Sequence, residues 1–154
     1  MNIILDVNIF HKFFKTDSTE HFNFAPVHKC IYECKGIVCF GGTQFKKEIL
    51  KAGYVSYFNE LNKIGKIKNL DLEKVDDLVK QLKLKEPNSD FDDPHLIACA
   101  ILGKSKIICT EEKRACKYID KVEFYEKSTQ RPKVYKNESH SHLVQDCCKG
   151  LTKR

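Results

Sequence analysis

Asp92-Asp93-Pro94-His95-Leu96-Ile97-Ala98-Cys99-Ala100-Ile101-Leu102-Gly103, followed after one lysine by Ser105-Lys106-Ile107-Ile108-Cys109-Thr110-Glu111-Glu112, is the stretch that decides the fold. A proline in the first helical position gives up an N–H that has no partner there, and an aspartate before it can cap the helix. Leu96, Ile97, Ala100 and Ile101 then supply an apolar helix that Gly103 can end. Ser105–Cys109 reads as a buried strand, and it turns at Thr110, Glu111 and Glu112.

The same helix-and-strand alternation extends outward in both directions. Asn2–Val7 reads as a first strand and Asn8–Lys15 as a short, aromatic-rich helix. Residues 16–24 form a polar loop, and Pro26–Glu33 begins a second helix. Gly36–Phe40 is an apolar run between glycines, hence a buried strand, and Thr43 is placed to cap the helix that follows. Gly53 separates that helix from one with Tyr54, Phe58 and Leu61 on a single face. Lys66–Leu70 is either a short strand or a loop. Leu72–Lys85 has a helical stripe of Val75, Leu78, Val79 and Leu82. After the central stretch, Glu111–Tyr118 reads as a helix, and Val122–Tyr125 and Lys133–Tyr135 as candidate strands. Strands alternating with helices predict an α/β fold with a central parallel sheet.

Length and composition agree with one folded domain. The chain has 154 residues, 42% hydrophobic and 31% charged. No apolar run approaches the roughly 20 residues of a membrane helix. The opening Met1-Asn2-Ile3-Ile4-Leu5-Asp6 lacks a basic region before its apolar residues, so it is not expected to be a signal peptide, and the expected location is cytoplasmic. The eight cysteines are then expected to be free thiols, several of them serving as small hydrophobes. Two groupings invite a zinc reading: His140-x-His142 with Cys147-Cys148, and Cys30-x-x-x-Cys34. Neither has paired Cys-x-x-Cys spacing, so no structural zinc is expected. No cysteine stands in a setting that would make it a nucleophile.

Acids gather where a parallel sheet binds ligands, beyond the carboxyl ends of its strands. The first strand ends at Asp6, with Asn8 two residues on. The helix after the second strand carries Glu48. Asp92 and Asp93 open the central helix, and Thr110, Glu111 and Glu112 follow the strand after it. Two like charges ~4 Å apart repel by about 4 kcal/mol at an effective dielectric of 20. A hard divalent cation, Mg²⁺ or Mn²⁺, resolves such a cluster and suits phosphodiester chemistry. Two neighbouring comparisons fail. Gly41-Gly42-Thr43 lacks the phosphate-loop pattern, and Asp6-Val7-Asn8 departs at Asn8 from the Asp-x-Asp of phosphatases.

Leu5-Asp6-Val7-Asn8, Lys47-Glu48-Ile49-Leu50, Asp92 to Ala100 and Ile107 to Glu112 occur in the order and spacing of PIN-domain ribonucleases, and the chain from residue 2 to about 125 resembles that family. The resemblance implies a three-layer α/β/α nuclease domain over 1–135, with 136–154 a basic C-terminal extension, part helical or flexible. It implies a metal-dependent endoribonuclease, as in compact toxin or defence effectors. Asp6, Glu48, Asp93 and Glu112 match the catalytic metal-binding acids, and Asn8, Asp92, Thr110 and Glu111 their supporting residues. Glu112 departs from the family's aspartate, and Glu111 can fill the same role. His95, in the first turn of the helix, reads as a structural histidine. The implied partner is RNA, with a protein inhibitor or regulatory partner and a homodimer left open. The alternative is a noncatalytic RNA-binding or regulatory module on the same fold. DNA cleavage by flap-endonuclease-like relatives is a third reading, disfavoured because those carry more acids and extra DNA-gripping segments.

The net charge of +6 is uneven. Residues 127–154 hold seven Lys/Arg against two Asp/Glu, whereas residues 1–126 hold twenty against nineteen. A basic end fits a polyanion. Arg131, Lys133 and Lys136 are candidate phosphate contacts, and Tyr135 between them a candidate for base stacking. A solvated strand edge guarded by lysines accounts for the same residues.

Overall fold

Ile3, Ile4 and Leu5 are fully buried, as are Ile108 and Cys109. Continuous apolar runs of this kind belong to central strands of a parallel sheet covered on both faces. Burying each such aliphatic side chain contributes roughly 1.5–3 kcal/mol. The structure is a computed structural model that describes residues 1–150. It is an α/β fold built on a five-stranded, all-parallel sheet: β1 (Asn2–Leu5), β2 (Ile37–Phe40), β3 (Ile67–Asn69), β4 (Ile107–Cys109) and β5 (Lys133–Tyr135), in the order β3-β2-β1-β4-β5.

The connections give three layers. α1 (Phe10–Phe14) and α2 (Ala25–Glu33) join β1 to β2, and α3 (Thr43–Ala52) and α4 (Val55–Lys63) join β2 to β3. α5 (Leu72–Lys85) and α6 (Pro94–Gly103) return to β4, and α7 (Lys113–Ile119) leads to β5. Right-handed crossovers put α1–α4 on one face and α5–α7 on the other. Aromatic contacts agree: Phe10 meets Phe58 at 5.4 Å across α1 and α4, and Phe91 meets Tyr118 at 4.7 Å on the opposite side. α6 packs on β1, β2 and β4 beneath α5 and is buried from Pro94 to Ala100. That sandwiching explains why it is apolar all round.

Local chemistry sets several boundaries differently from the sequence reading. Gly42, not Thr43, is the N-cap of α3, with φ at 88°. A Cβ there would fall 2.5 Å from a Val75 methyl, so both conformation and space require glycine. Thr43 instead gives its backbone N–H and hydroxyl to the Asp76 carboxylate, at 2.9 and 2.6 Å. Gly103 is the last residue of α6, and the left-handed turn falls on Lys104. Gly103 is needed for close approach, since a Cβ would sit 3.1 Å from that of Cys39. Lys66–Leu70 resolves into strand β3, whereas Val122–Phe124 is a 3-10 turn rather than a strand.

The C-terminal segment departs furthest from expectation. Glu138–Val144 is a 3-10 helix that packs on α2, and Val144 and Cys147 belong to the same core as the rest. Four cysteines expected as free thiols are disulfide-bonded, Cys30 to Cys147 and Cys34 to Cys148, tying this segment to the end of α2. Cys39, Cys99, Cys109 and Cys116 are free, the first three buried. One cross-link spanning 117 residues restricts the unfolded chain by about 4.7 kcal/mol. The second, one turn away, closes only a small additional ring and adds far less. Residues 151–154 of the expected extension lie outside the described residues. Among the described residues, no helix is long and apolar enough to cross a membrane.

Candidate metal centre

β1 and β4 are neighbours whose onward connections run in opposite directions, which opens a crevice at their carboxyl ends. The register pairs Leu5 with Cys109, so Asp6 and Thr110 emerge side by side there. The Asp6 backbone N–H reaches Cys109 O at 2.9 Å, extending the ladder by one rung. The Thr110 hydroxyl is fully buried and donates to Asp6 Oδ2 at 2.8 Å. It accepts from Asn8 Nδ2 at 3.3 Å and from the Glu112 backbone N–H at 3.1 Å. Asn8 Oδ1 also accepts from the Glu111 N–H at 3.4 Å. Thr110 thus holds the Asp6 carboxylate in one orientation. Burial pushes the Asp6 carboxyl above its usual range, with Glu48 adding to the rise and the Thr110 hydrogen bond and His95 opposing it.

Across the crevice stand α3 and α6. Glu48 on α3, Asp93 at the start of α6 and His95 in its first turn each offer a ligand atom, and these atoms lie within 4.8 Å of one another. His95 is fully buried, with the Phe45 ring 5.1 Å away edge-on. Its Nε2 is 2.8 Å from Glu48 Oε2. The two atoms stand at ion-pair distance, although their alignment is not that of a hydrogen bond, and His95 Nδ1 is buried with no hydrogen-bond partner. Buried polar atoms are normally satisfied. An imidazole nitrogen and a carboxylate oxygen this close can pair with each other or share a cation. Asp93 is pushed up to about 6, first by burial and then by the charge of Asp6. Neither Asp6 nor Asp93 caps its helix through its side chain. Neither carboxylate is spent on its helix, and Asp6 keeps its bond from the Thr110 hydroxyl.

The remaining acids are turned elsewhere. Glu112 is the N-cap of α7 and accepts from the Arg114 N–H at 3.2 Å. The Arg114 guanidinium lies 3.7–3.8 Å from carboxylate oxygens of Asp90, Asp92 and Glu112, an exposed network that includes none of Glu48, Asp93 and His95. Glu111 pairs with Lys12 at 2.8 Å. The Asp92 carbonyl accepts from Gln44 Nε2 at 2.8 Å. The group of three that could hold an ion includes none of Asp6, Glu111 and Glu112, and it includes His95, which reads from the sequence as structural. Its signal was a polar side chain in an otherwise apolar helix, which once buried requires a partner.

The basic edge divides in the same way. Arg131 and Lys133 are exposed and Lys136 half-buried, and with Lys106 and His140 they line a cavity of about 490 Å³ along β5. Tyr135 does not join them. It is fully buried against Phe24, and its hydroxyl donates to Asn23 O at 2.8 Å, so its ring offers no stacking surface. Lys133 lies two residues earlier on the same face of β5 and is exposed, so the burial of Tyr135 comes from the Phe24 and Asn23 segment that covers this end of the strand.

No protein-family model, no curated protein and no solved structure matches the chain.

Proposed function

We propose that this chain is a metal-dependent endoribonuclease of PIN-like architecture, using the crevice between β1, β4, α3 and α6. The observation that supports it most is the convergence of ligand atoms from Glu48, Asp93 and His95 within 4.8 Å of one another, beside an Asp6 carboxylate that does not cap its helix. A divalent cation fits this donor set. It would neutralise acids whose protonation is otherwise favoured by burial and mutual repulsion. An imidazole nitrogen among carboxylates suits Mn²⁺ better than Mg²⁺, since nitrogen is the softer donor. When bound, such an ion activates a water and stabilises the leaving oxygen in phosphodiester hydrolysis. The chain's own part is orientation. Thr110 fixes Asp6, Phe45 and the α6 packing fix His95, and the buried floor of β1 and β4 limits water beneath the site.

A noncatalytic RNA-binding module is the second reading, and the turning-away of Glu112 favours it. A cytoplasmic location belongs with the proposal, because the buried thiols of Cys39, Cys99 and Cys109 remain free. The two disulfides count against it. One assay tests the reading: purified protein with total RNA, with Mn²⁺, Mg²⁺ or EDTA, followed by end-mapping. The expected result is metal-dependent cleavage leaving 5′-phosphate and 3′-hydroxyl ends. Cyclic phosphate ends, or undiminished cleavage in EDTA, overturn it. RNA binding without cleavage under every condition selects the second reading.

A further inference from the structure

We propose that Cys30, Cys34, Cys147 and Cys148 form a tetrathiolate site for a zinc ion, at the junction of α2 and the C-terminal segment and independent of the acid crevice. Cys30 and Cys34 stand one helical turn apart, about 6 Å between Cα atoms. Cys147 and Cys148 are adjacent, about 3.8 Å apart. The cross-pairs lie at 5.6 and 4.9 Å. Cα atoms this close let four side chains reach one point once both S–S bonds are opened. Tetrahedral zinc needs metal–sulfur distances of about 2.3 Å and hence sulfurs about 3.8 Å apart. The proposed site requires the four side chains to rotate from their disulfide positions to that spacing. The frame is held without the sulfurs: the Gly36 N–H meets Cys30 O at 2.8 Å, and Val144 is buried in the core. Gly36 also leaves room for the metal-facing sulfur, since a Cβ there would come within 2.9 Å of Cys30 Sγ.

Three observations favour a metal over two cross-links as the working form. The second disulfide joins segments that the first already joins one turn away, so it restrains the unfolded chain little, whereas a tetrathiolate uses all four sulfurs at once. Positive charge also surrounds the cluster. The N-terminal ammonium binds Lys35 O at 3.1 Å, Lys66 Nζ binds Cys34 O at 2.5 Å, and Lys35 Nζ lies 3.5 Å from the Cβ position of Gly150. Of the acids next to these cysteines, Asp146 is paired with Lys149 at 2.6 Å, and Glu33, beside Cys34, is exposed to solvent. Two disulfides are neutral and gain nothing from these cations, whereas zinc with four thiolates carries a net charge of about −2 that they offset. Finally, the four other cysteines remain thiols, so the chain does not convert its cysteines wholesale into a disulfide framework. His140 is not a competing ligand through Nδ1, which accepts the Lys136 N–H at 3.0 Å.

The tetrathiolate holds four electrons more than the two disulfides. Each S–S bond takes up two electrons from a thiol or phosphine reductant and yields two thiolates, and zinc stays divalent throughout. Thiolate donors select zinc over the Mn²⁺ or Mg²⁺ suited to carboxylates, so the two centres differ in chemistry as well as place.

The test uses the full chain, produced with added zinc, purified anaerobically in a phosphine reductant and desalted. Elemental analysis should find about one tightly held zinc per chain. Cobalt replacing it should give the intense sulfur-to-cobalt charge-transfer bands of a tetrahedral thiolate site. Cys34→Ser and Cys148→Ser should each lower retained zinc to below about a tenth of that. Cys148→His restores a donor, and should hold cobalt with a shifted band even if the serine variants fold poorly. Asp93→Asn should leave the zinc and the cobalt spectrum unchanged. The proposal is overturned if the reduced wild-type chain has four additional reactive thiols and no zinc. It is also overturned if the folded chain keeps both disulfides through the reductant, or if zinc is lost in Asp93→Asn and kept in Cys148→Ser.

Discussion

α6 and α7 both begin on an acid, and the two acids do opposite things. Glu112 folds its carboxylate back onto the Arg114 N–H and so stabilises α7. Asp93 precedes Pro94, which has no N–H, and its carboxylate makes no capping bond. It points instead into a crevice with Glu48 and His95, where burial and the Asp6 charge push it up to about 6. A cap lowers the energy of the helix it begins, whereas a partly buried carboxylate held near other charges raises the energy of the fold. The difference separates an acid that holds the structure from one that does not stabilise its own helix.

Exchanging the two acids for neutral residues is the strongest way to break this comparison. Asp93→Asn should reduce metal-dependent cleavage at least about a hundredfold, since a ligand matters more than the residues behind it. In EDTA at neutral pH the same variant should melt at a higher temperature than wild type, because a clustered charge is gone. Glu112→Ala should lose roughly 1 kcal/mol of stability with its cap, and change cleavage only a few-fold. Parallel activity and melting measurements decide it. Loss of cleavage in Glu112→Ala equal to that in Asp93→Asn would mean that the α7 acid serves the chemistry after all.

Next in size is the support behind Asp6. Thr110→Val removes the hydroxyl that donates to Asp6 Oδ2 and accepts from Asn8 and the Glu112 N–H. Metal affinity, followed by calorimetry, should fall about 10–100-fold. An unchanged affinity would show that Asp6 is oriented by the backbone alone.

A smaller effect is expected in the pH dependence of the metal-free protein. Asp93 has a higher pKa folded, about 6, than its ordinary value of 3.8. The folded state therefore binds the proton more tightly. Its contribution to stability is complete below about pH 4, falls as pH rises through 6 and is absent above that. Burial raises Asp6 as well, which adds to the trend. Melting temperature in EDTA should decline from pH 4.5 to 7, to an extent moderated by solvent at the half-exposed Asp93, while saturating Mn²⁺ should flatten or reverse the decline. A melting temperature that rises over this interval in EDTA would remove the case for a strained acid cluster.

Most of the sheet and α6 was legible because buried parallel strands are continuous apolar runs, and Asp93-Pro94 marks a helix start by local chemistry alone. The return of Asp6 and Glu48 to one crevice followed from strand order. What sequence could not show was side-chain direction. Glu112 and Asp93 are both acids at helix starts, and only the orientation of each carboxylate separates them. Tyr135 looked like part of a basic aromatic surface because its neighbours are charged, yet the distant Phe24 segment packs over it and buries it, while Lys133 on the same strand face stays exposed. Cys30 and Cys147 are 117 residues apart, and no local pattern announces that they meet.

The basic edge along β5 should have the mildest effect on chemistry, and it extends the comparison from helix starts to whole surfaces. Arg131 and Lys133 are exposed and Lys136 is half-buried, beside a cavity that none of the crevice acids lines. If these cations neutralise RNA phosphates, changing all three to Gln should weaken binding and lower the slope of log K against log salt by roughly 0.7 for each phosphate no longer neutralised. The cleavage rate at saturating RNA and the affinity for Mn²⁺ should stay as they are, because the charges act on capture and not at the acids. Tyr135→Phe serves as the internal reference. It loses a buried hydrogen bond to Asn23 O, at a cost of about 1 kcal/mol in stability, and leaves RNA affinity unaltered. An unchanged salt slope in the triple variant would make this edge a solvated surface and move the RNA path to the flank of α3, where Lys47 and Lys80 line a second depression next to Glu48. Weaker RNA binding in Tyr135→Phe would instead mean that the buried ring supports the RNA-facing surface from below.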